Sequence, residues 1–152
     1  MRLVALPLVL AALLAGCGGA SSGHTDEEPQ TAHLNDVTVG ATSVRFQFDR
    51  APGDVRARYE REPAECGSGR QVRLRGSASA VVHFTPALSA RIDGEKVVPT
   101  YTGPTRLPGP GPVLEVVKSC DFESDLGWAI GVERRLELHV SRDGSSVTVS
   151  FG

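Results

Sequence analysis

Hydrophobic and polar residues alternate with a period of two through most of the chain from Val37 onward, as strands with one buried face require. Within residues 43–49, Val44, Phe46 and Phe48 fall on one side and Arg45, Gln47 and Asp49 on the other. Ala51-Pro52-Gly53 turns the chain, after which Val55, Ala57 and Tyr59 alternate with Arg56, Arg58 and Glu60. Val72 and Leu74 alternate with Arg73 and Arg75. Beyond Gly76, Ala80, Val82 and Phe84 oppose Val81 and His83. Residues 114–122 predict another strand. In residues 126–132, Leu126, Trp128, Ile130 and Val132 share one face; Gly127, Ala129 and Gly131 form the other, where a second backbone has room to pass. Leu136-Leu138-Val140 and Val147-Val149-Phe151 complete the set, joined by a turn at Asp143-Gly144. About seven to nine short strands with one polar face each predict an all-β fold, a sandwich of two antiparallel sheets.

Two segments break the pattern. Residues 99–112 hold five Pro and three Gly. Each Pro removes a ladder donor, so this stretch cannot be a central strand and is expected as a long surface loop. At the N-terminus, Met1-Arg2 supplies a charge, residues 3–14 are apolar, and Ala15-Gly16 lead into Cys17, the layout of a secretory signal. Twelve apolar residues rise only about 18 Å as a helix, short of the ~30 Å hydrocarbon core.

Residues 18–33 carry Gly, Ser, Thr, Pro, Gln and the acidic run Asp26-Glu27-Glu28, and read as a flexible linker. Of the 16 cations and 18 anions in the chain, 15 of each lie from Leu34 onward, so the domain itself is neutral. That balance excludes a polybasic membrane clamp and a nucleic-acid partner.

Leu14-Ala15-Gly16-Cys17 resembles the lipobox of bacterial lipoproteins. The resemblance implies cleavage after Gly16 and acylation of Cys17, which anchors the chain to the cell membrane on its extracytoplasmic face. An ordinary secreted protein is the alternative. The expected organisation is a signal peptide at 1–16, lipidated Cys17 and linker at 17–33, and one domain at 34–152.

With Cys17 assigned to lipid, Cys66 and Cys120 remain, and an oxidising compartment favours a disulfide with α-carbons within about 7 Å. Two buried thiols are the alternative. His24 and His33 lie in or beside the linker, and His83 and His139 on outward strand faces, where solvated imidazoles are expected. No pair of them has the spacing of a metal site. Asp121, Glu123 and Asp125 alternate in a way that could surround a hard cation, but the glycine and terminal glutamate of an EF-hand are missing, so an acidic loop is the expectation. Ser68 between Gly67 and Gly69 lacks the spacing of a nucleophile elbow. No cofactor, metal or catalytic set is expected. The remaining surface feature is Arg56, Arg58, Arg73 and Arg75, all opposite the apolar set. On neighbouring strands they would form one guanidinium face suited to carboxylates or phosphates. Neutralisation by Glu60 and Glu62 on a solvated face is the alternative.

Residues 44–49, Pro52-Gly53, residues 56–62 with Gly67-Ser68-Gly69, Tyr101-Thr102-Gly103-Pro104, and Asp121-Phe122-Glu123 running into Gly127-Trp128-Ala129-Ile130-Gly131 together resemble the AMIN-like domain of actinobacterial envelope proteins. The resemblance implies a β-sandwich module that attaches to envelope components such as peptidoglycan and does not catalyse. The Cys66/Cys120 pair departs from that family's pattern. The expectation is a non-enzymatic lipoprotein that binds a cell-wall polymer. The alternative is an interaction module that docks on a secreted or membrane protein, by edge-strand addition.

Overall fold

A computed structural model describes residues 30–152. The expected signal peptide, Cys17 and most of the expected linker lie outside the described residues. Twelve strands follow one another: β1 (Ala32–Val39), β2 (Ser43–Phe48), β3 (Asp54–Tyr59), β4 (Ala78–Thr85), β5 (Ala87–Leu88), β6 (Ala90–Asp93), β7 (Lys96–Pro99), β8 (Arg106–Pro108), β9 (Val113–Phe122), β10 (Asp125–Val132), β11 (Leu138–Asp143) and β12 (Ser146–Phe151). No helix occurs among the described residues. One five-stranded sheet has the order β11-β12-β2-β1-β5, the other β3-β4-β10-β9-β8, and β6–β7 form a separate hairpin. All pairings are antiparallel except β1 with β5.

The two sheets bury the faces that alternation marks. Val44, Phe46 and Phe48 of β2 and Val147, Val149 and Phe151 of β12 meet Ala80, Val82 and Phe84 of β4 and Leu126, Trp128, Ile130 and Val132 of β10. Aromatic rings fix the centre: Phe46 and Phe84 lie 4.9 Å apart, and Trp128 stands 5.9 Å from Phe46. Gly144, at φ 56°, opens the two-residue β11–β12 turn in a conformation that disfavours a side chain.

The structure differs from expectation in several places. The count exceeds seven to nine because β5 to β8 are short pieces with little alternation to read. Strand β1 starts at Ala32, which is fully buried, so the end of the expected linker belongs to the sandwich. The Pro-rich stretch is not wholly loop: Arg106–Pro108 pairs with β9 at the sheet edge, where a proline costs no ladder bond, and Tyr101 is buried with its ring 5.6 Å from Trp128.

Residues 72–75 are not a strand. They belong to a strap, residues 63–76, that leaves the sandwich after β3 and lies across the outer face of the second sheet. Val72 and the half-buried Leu74 seal a satellite cluster there with Val81, Val117 and Ala129. The small-residue face of β10 makes this possible. A Cβ on Gly131 would overlap the Arg75 carbonyl oxygen.

Candidate functional site

The strap is held at both ends. Cys66 and Cys120 are joined by a disulfide with Cα–Cα 5.1 Å, and the Cys66 N–H donates to the Ser119 carbonyl at 3.0 Å. At the other end, Glu115 of β9 points outward but is buried, with its side chain 7% exposed. It accepts the Arg75 backbone N–H at 2.5 Å and an Arg106 guanidinium N–H at 2.7 Å. Burial alone would raise the Glu115 pKa; the Arg106 bond, the Arg75 N–H and the two guanidinium charges outweigh it and hold it below the ordinary glutamate value.

What the strap leaves uncovered is a groove of about 350 Å³ over β3, β4 and the start of β10, lined by Asp54, Arg56, Arg58, His83, Thr85 and Asp125. Strand register builds it: Asp54 is opposite Thr85, Arg56 opposite His83, and Gly127 of β10 opposite His83 on the other side. A Cβ on Gly127 would stand 3.0 Å from the His83 ring, so glycine gives the imidazole room to lie across β10. There, the Nδ1 of His83 meets both Asp125 carboxylate oxygens, at 2.9 and 3.1 Å. The Nε of Arg56 pairs with Asp54 at 2.6 Å and Arg58 with Glu60 at 2.9 Å; Arg56 is 78% exposed, so its charge remains open to a ligand. Charges of both signs thus alternate along one rigid sheet surface.

The Arg residues singled out in the sequence do not form one face. Arg56 and Arg58 share β3, while Arg73 and Arg75 ride on the strap near Arg106 and Glu115. Three strand spacings, about 14 Å, separate β3 from β9. The three alternating acids also part company. Asp121 accepts from Ser89 and Lys118, which lower its pKa against the effect of burial; Asp125 goes to His83; Glu123 sits in the β9–β10 turn with φ 50°. No group of metal-ligating residues converges among the described residues. Ser68 bonds Glu65. His33 and His83 are paired with Asp49 and Asp125 rather than simply solvated, whereas His139 lies 3.5 Å from Glu137 on exposed β11. The His83–Asp125 pair was not visible in the sequence, since 42 positions separate its members and only the β4–β10 register joins them.

Fold and groove define a class: a strapped β-sandwich that displays a fixed mixed-charge surface. A comparison with family models matches residues 33–148 to the AMIN-like domain. The chain belongs to the AMIN-like domain family. No curated protein and no solved structure matches it.

Proposed function

We propose that this chain is a lipid-anchored binding module of the extracytoplasmic cell surface, with Cys17 as the acylated residue and the β3–β4–β10 groove as the ligand site. The domain's family and the lipobox-like Leu14-Ala15-Gly16-Cys17 support the location and the anchor. Two or three acyl chains, at about 0.8 kcal/mol per buried methylene, suffice for stable attachment.

The observation that carries the ligand reading is the groove's arrangement of Arg56, Arg58 and His83 beside Asp54 and Asp125. The peptide stems of peptidoglycan bear carboxylates and an amine, and such a ligand finds an opposite partner for each charge here. Guanidinium forks bind carboxylates in two-bond geometry, and strand pairing already fixes the backbone that presents them, so only the side chains remain to be ordered. The family membership supports a module that binds and does not react.

The test is sedimentation of the full chain with purified wall sacculi. Arg56→Gln with Arg58→Gln lowers the affinity for sacculi at least about tenfold, the cost of one charge-assisted bond at the low end of its range. Arg73→Gln with Arg75→Gln leaves it unchanged. Equal retention by all three proteins refutes the groove.

A further inference from the structure

Strand β11 ends the first sheet, and among the described residues no backbone pairs with its outer edge. Glu137 exchanges both backbone hydrogen bonds with Gly152, at 3.2 and 3.0 Å, and β11 and β12 stay in unbroken register from there. Glu137, His139, Ser141 and Asp143 therefore turn their N–H and C=O groups toward β12, and Leu138, Val140 and Arg142 turn theirs outward. Two other edges are short: strand β5 has 2 residues, and β8 has 3 with Pro108 among them, whereas β3, with 6 residues, is a second long edge. The Tyr59 hydroxyl at its end bonds both outward backbone groups of Leu136, so the open part of the β11 edge begins at Leu138. Strand β11 carries no proline, lysine or bulge, and leaves Val140 39% exposed. An edge of this kind is a template for another strand.

We propose that β11 pairs antiparallel with β11 of a second copy of this chain, about a two-fold axis through Ser141, which merges two five-stranded sheets into one continuous sheet. Backbone parity and charge select this register. Outward-turned residues must oppose outward-turned residues, which restricts the axis to His139, Val140, Ser141 or Arg142. Centred on Val140, each Glu137 faces Asp143 of the second copy, like against like. Centred on His139, two imidazoles meet; centred on Arg142, Asp143 faces Ser141 and His139 faces Ser145, so no pair of opposite charge forms. Centred on Ser141, each His139 faces Asp143 of the second copy, at the closer, non-hydrogen-bonded type of pair. The imidazole offers that carboxylate an N–H whether protonated or neutral. Val140 then exchanges both backbone bonds with Arg142 of the second copy. The Arg142 guanidinium already bonds the Pro52 and Gly53 carbonyls of its own chain, so its aliphatic stem is what meets the exposed Val140.

The geometry sets its own test. Ser141 faces Ser141 across the axis with α-carbons about 4.5 Å apart, inside disulfide range. The full chain bearing Ser141→Cys, in membranes under mild oxidation, forms a covalent dimer about tenfold faster than Val140→Cys, whose mate is diagonal. The parent chain supplies the background from its own cysteines. In sedimentation of the detergent-solubilised full chain, His139→Asp weakens the dimer about tenfold by setting two like pairs. The exchanged variant His139→Asp with Asp143→His restores it. Equal cross-linking at positions 140 and 141, cross-linking of Ser141→Cys to a different polypeptide, or no recovery in the exchanged variant at unchanged thermal stability overturns the proposal.

Discussion

Replacing Glu115 by Gln keeps the shape of the side chain and removes the charge that pins the strap. Glu115 is 7% exposed at the side chain and accepts from Arg106 at 2.7 Å and from the Arg75 N–H at 2.5 Å. Hydrogen bonds to a charged group contribute about 1.5–3 kcal/mol each. The guanidiniums of Arg75 and Arg106 are 59% and 50% exposed, so water compensates them when the carboxylate is lost. The net cost of Glu115→Gln is therefore near the value of one such bond, about 2 kcal/mol, and lowers Tm by about 6–12 °C in a domain of this size. The pH dependence has a definite sign. Because its folded pKa is depressed, Glu115 stabilises the fold above the ordinary glutamate value, near about 4.3, and loses that contribution as pH falls through the folded pKa. Calorimetry of parent and variant from neutral pH to pH ~3 should show the gap close as the parent's carboxylate protonates. A Tm gap below about 1 °C at neutral pH, or one that stays constant into acid, refutes the account of the strap.

Gly131→Ala should cost about 1–3 kcal/mol in urea unfolding, because its Cβ meets the Arg75 carbonyl and must lift the strap or tilt β10. Cys66→Ser with Cys120→Ser removes a bridge across 54 positions and should destabilise by up to about 4 kcal/mol on the chain-entropy argument. The same variant should still bind wall sacculi at a temperature where it is folded, because Arg56, Arg58 and His83 sit on β3 and β4 and not on the strap. Asp121→Asn keeps an acceptor for the Ser89 N–H but removes the carboxylate oxygen that accepts from the Ser89 hydroxyl and the Lys118 ammonium at the base of the β6–β7 hairpin. Amide exchange at residues 90–99 should quicken several-fold while exchange in β2 and β10 is unchanged.

Where one face of a strand is dry and the other wet, alternation in the sequence is sufficient, and β2 follows it residue for residue. Strand β12 departs from it only at buried Ser146, while β4 and β10 keep the alternating core face although the strap also buries Val81 and Ala129 on the other. Strand β9 shows why it fails elsewhere. Its register against β10 skips Leu114 and Ser119, so Val113 and Val116 both reach the core although an odd number separates them, and Val117 is buried on the opposite face. Val72 and Leu74 alternate like strand residues, but their periodicity reflects burial under a strap whose N–H groups go to loop carbonyls and to the Glu115 carboxylate. The Gly127-Ala129-Gly131 face foretold a close backbone without saying whose it was. The groove was half legible: Arg56 and Arg58 stand out on β3, but only strand pairing sets His83 beside them and Asp125 beside His83.

Neighbouring antiparallel strands need only a two-residue turn, and β3 and β4 are such neighbours, with Tyr59 opposite Ala80. Residues 60–77 instead run out across the sheet and back, an excursion whose ordering entropy has to be offset. The apolar contacts of Val72 and Leu74, the Cys66–Cys120 bridge and the Glu115 bonds offset it together. The result is an outer sheet face with two unlike halves: the part over β9, β10 and Val81 of β4 is converted to interior, and the part over β3 and the His83–Thr85 end of β4 remains solvated and charged. The disulfide marks the boundary, with the Cys120 sulfur 3.9 Å from the Asp125 carboxylate that fixes His83. A connection far longer than the topology demands is thus what gives an otherwise uniform sheet surface a bounded, rigid-walled groove.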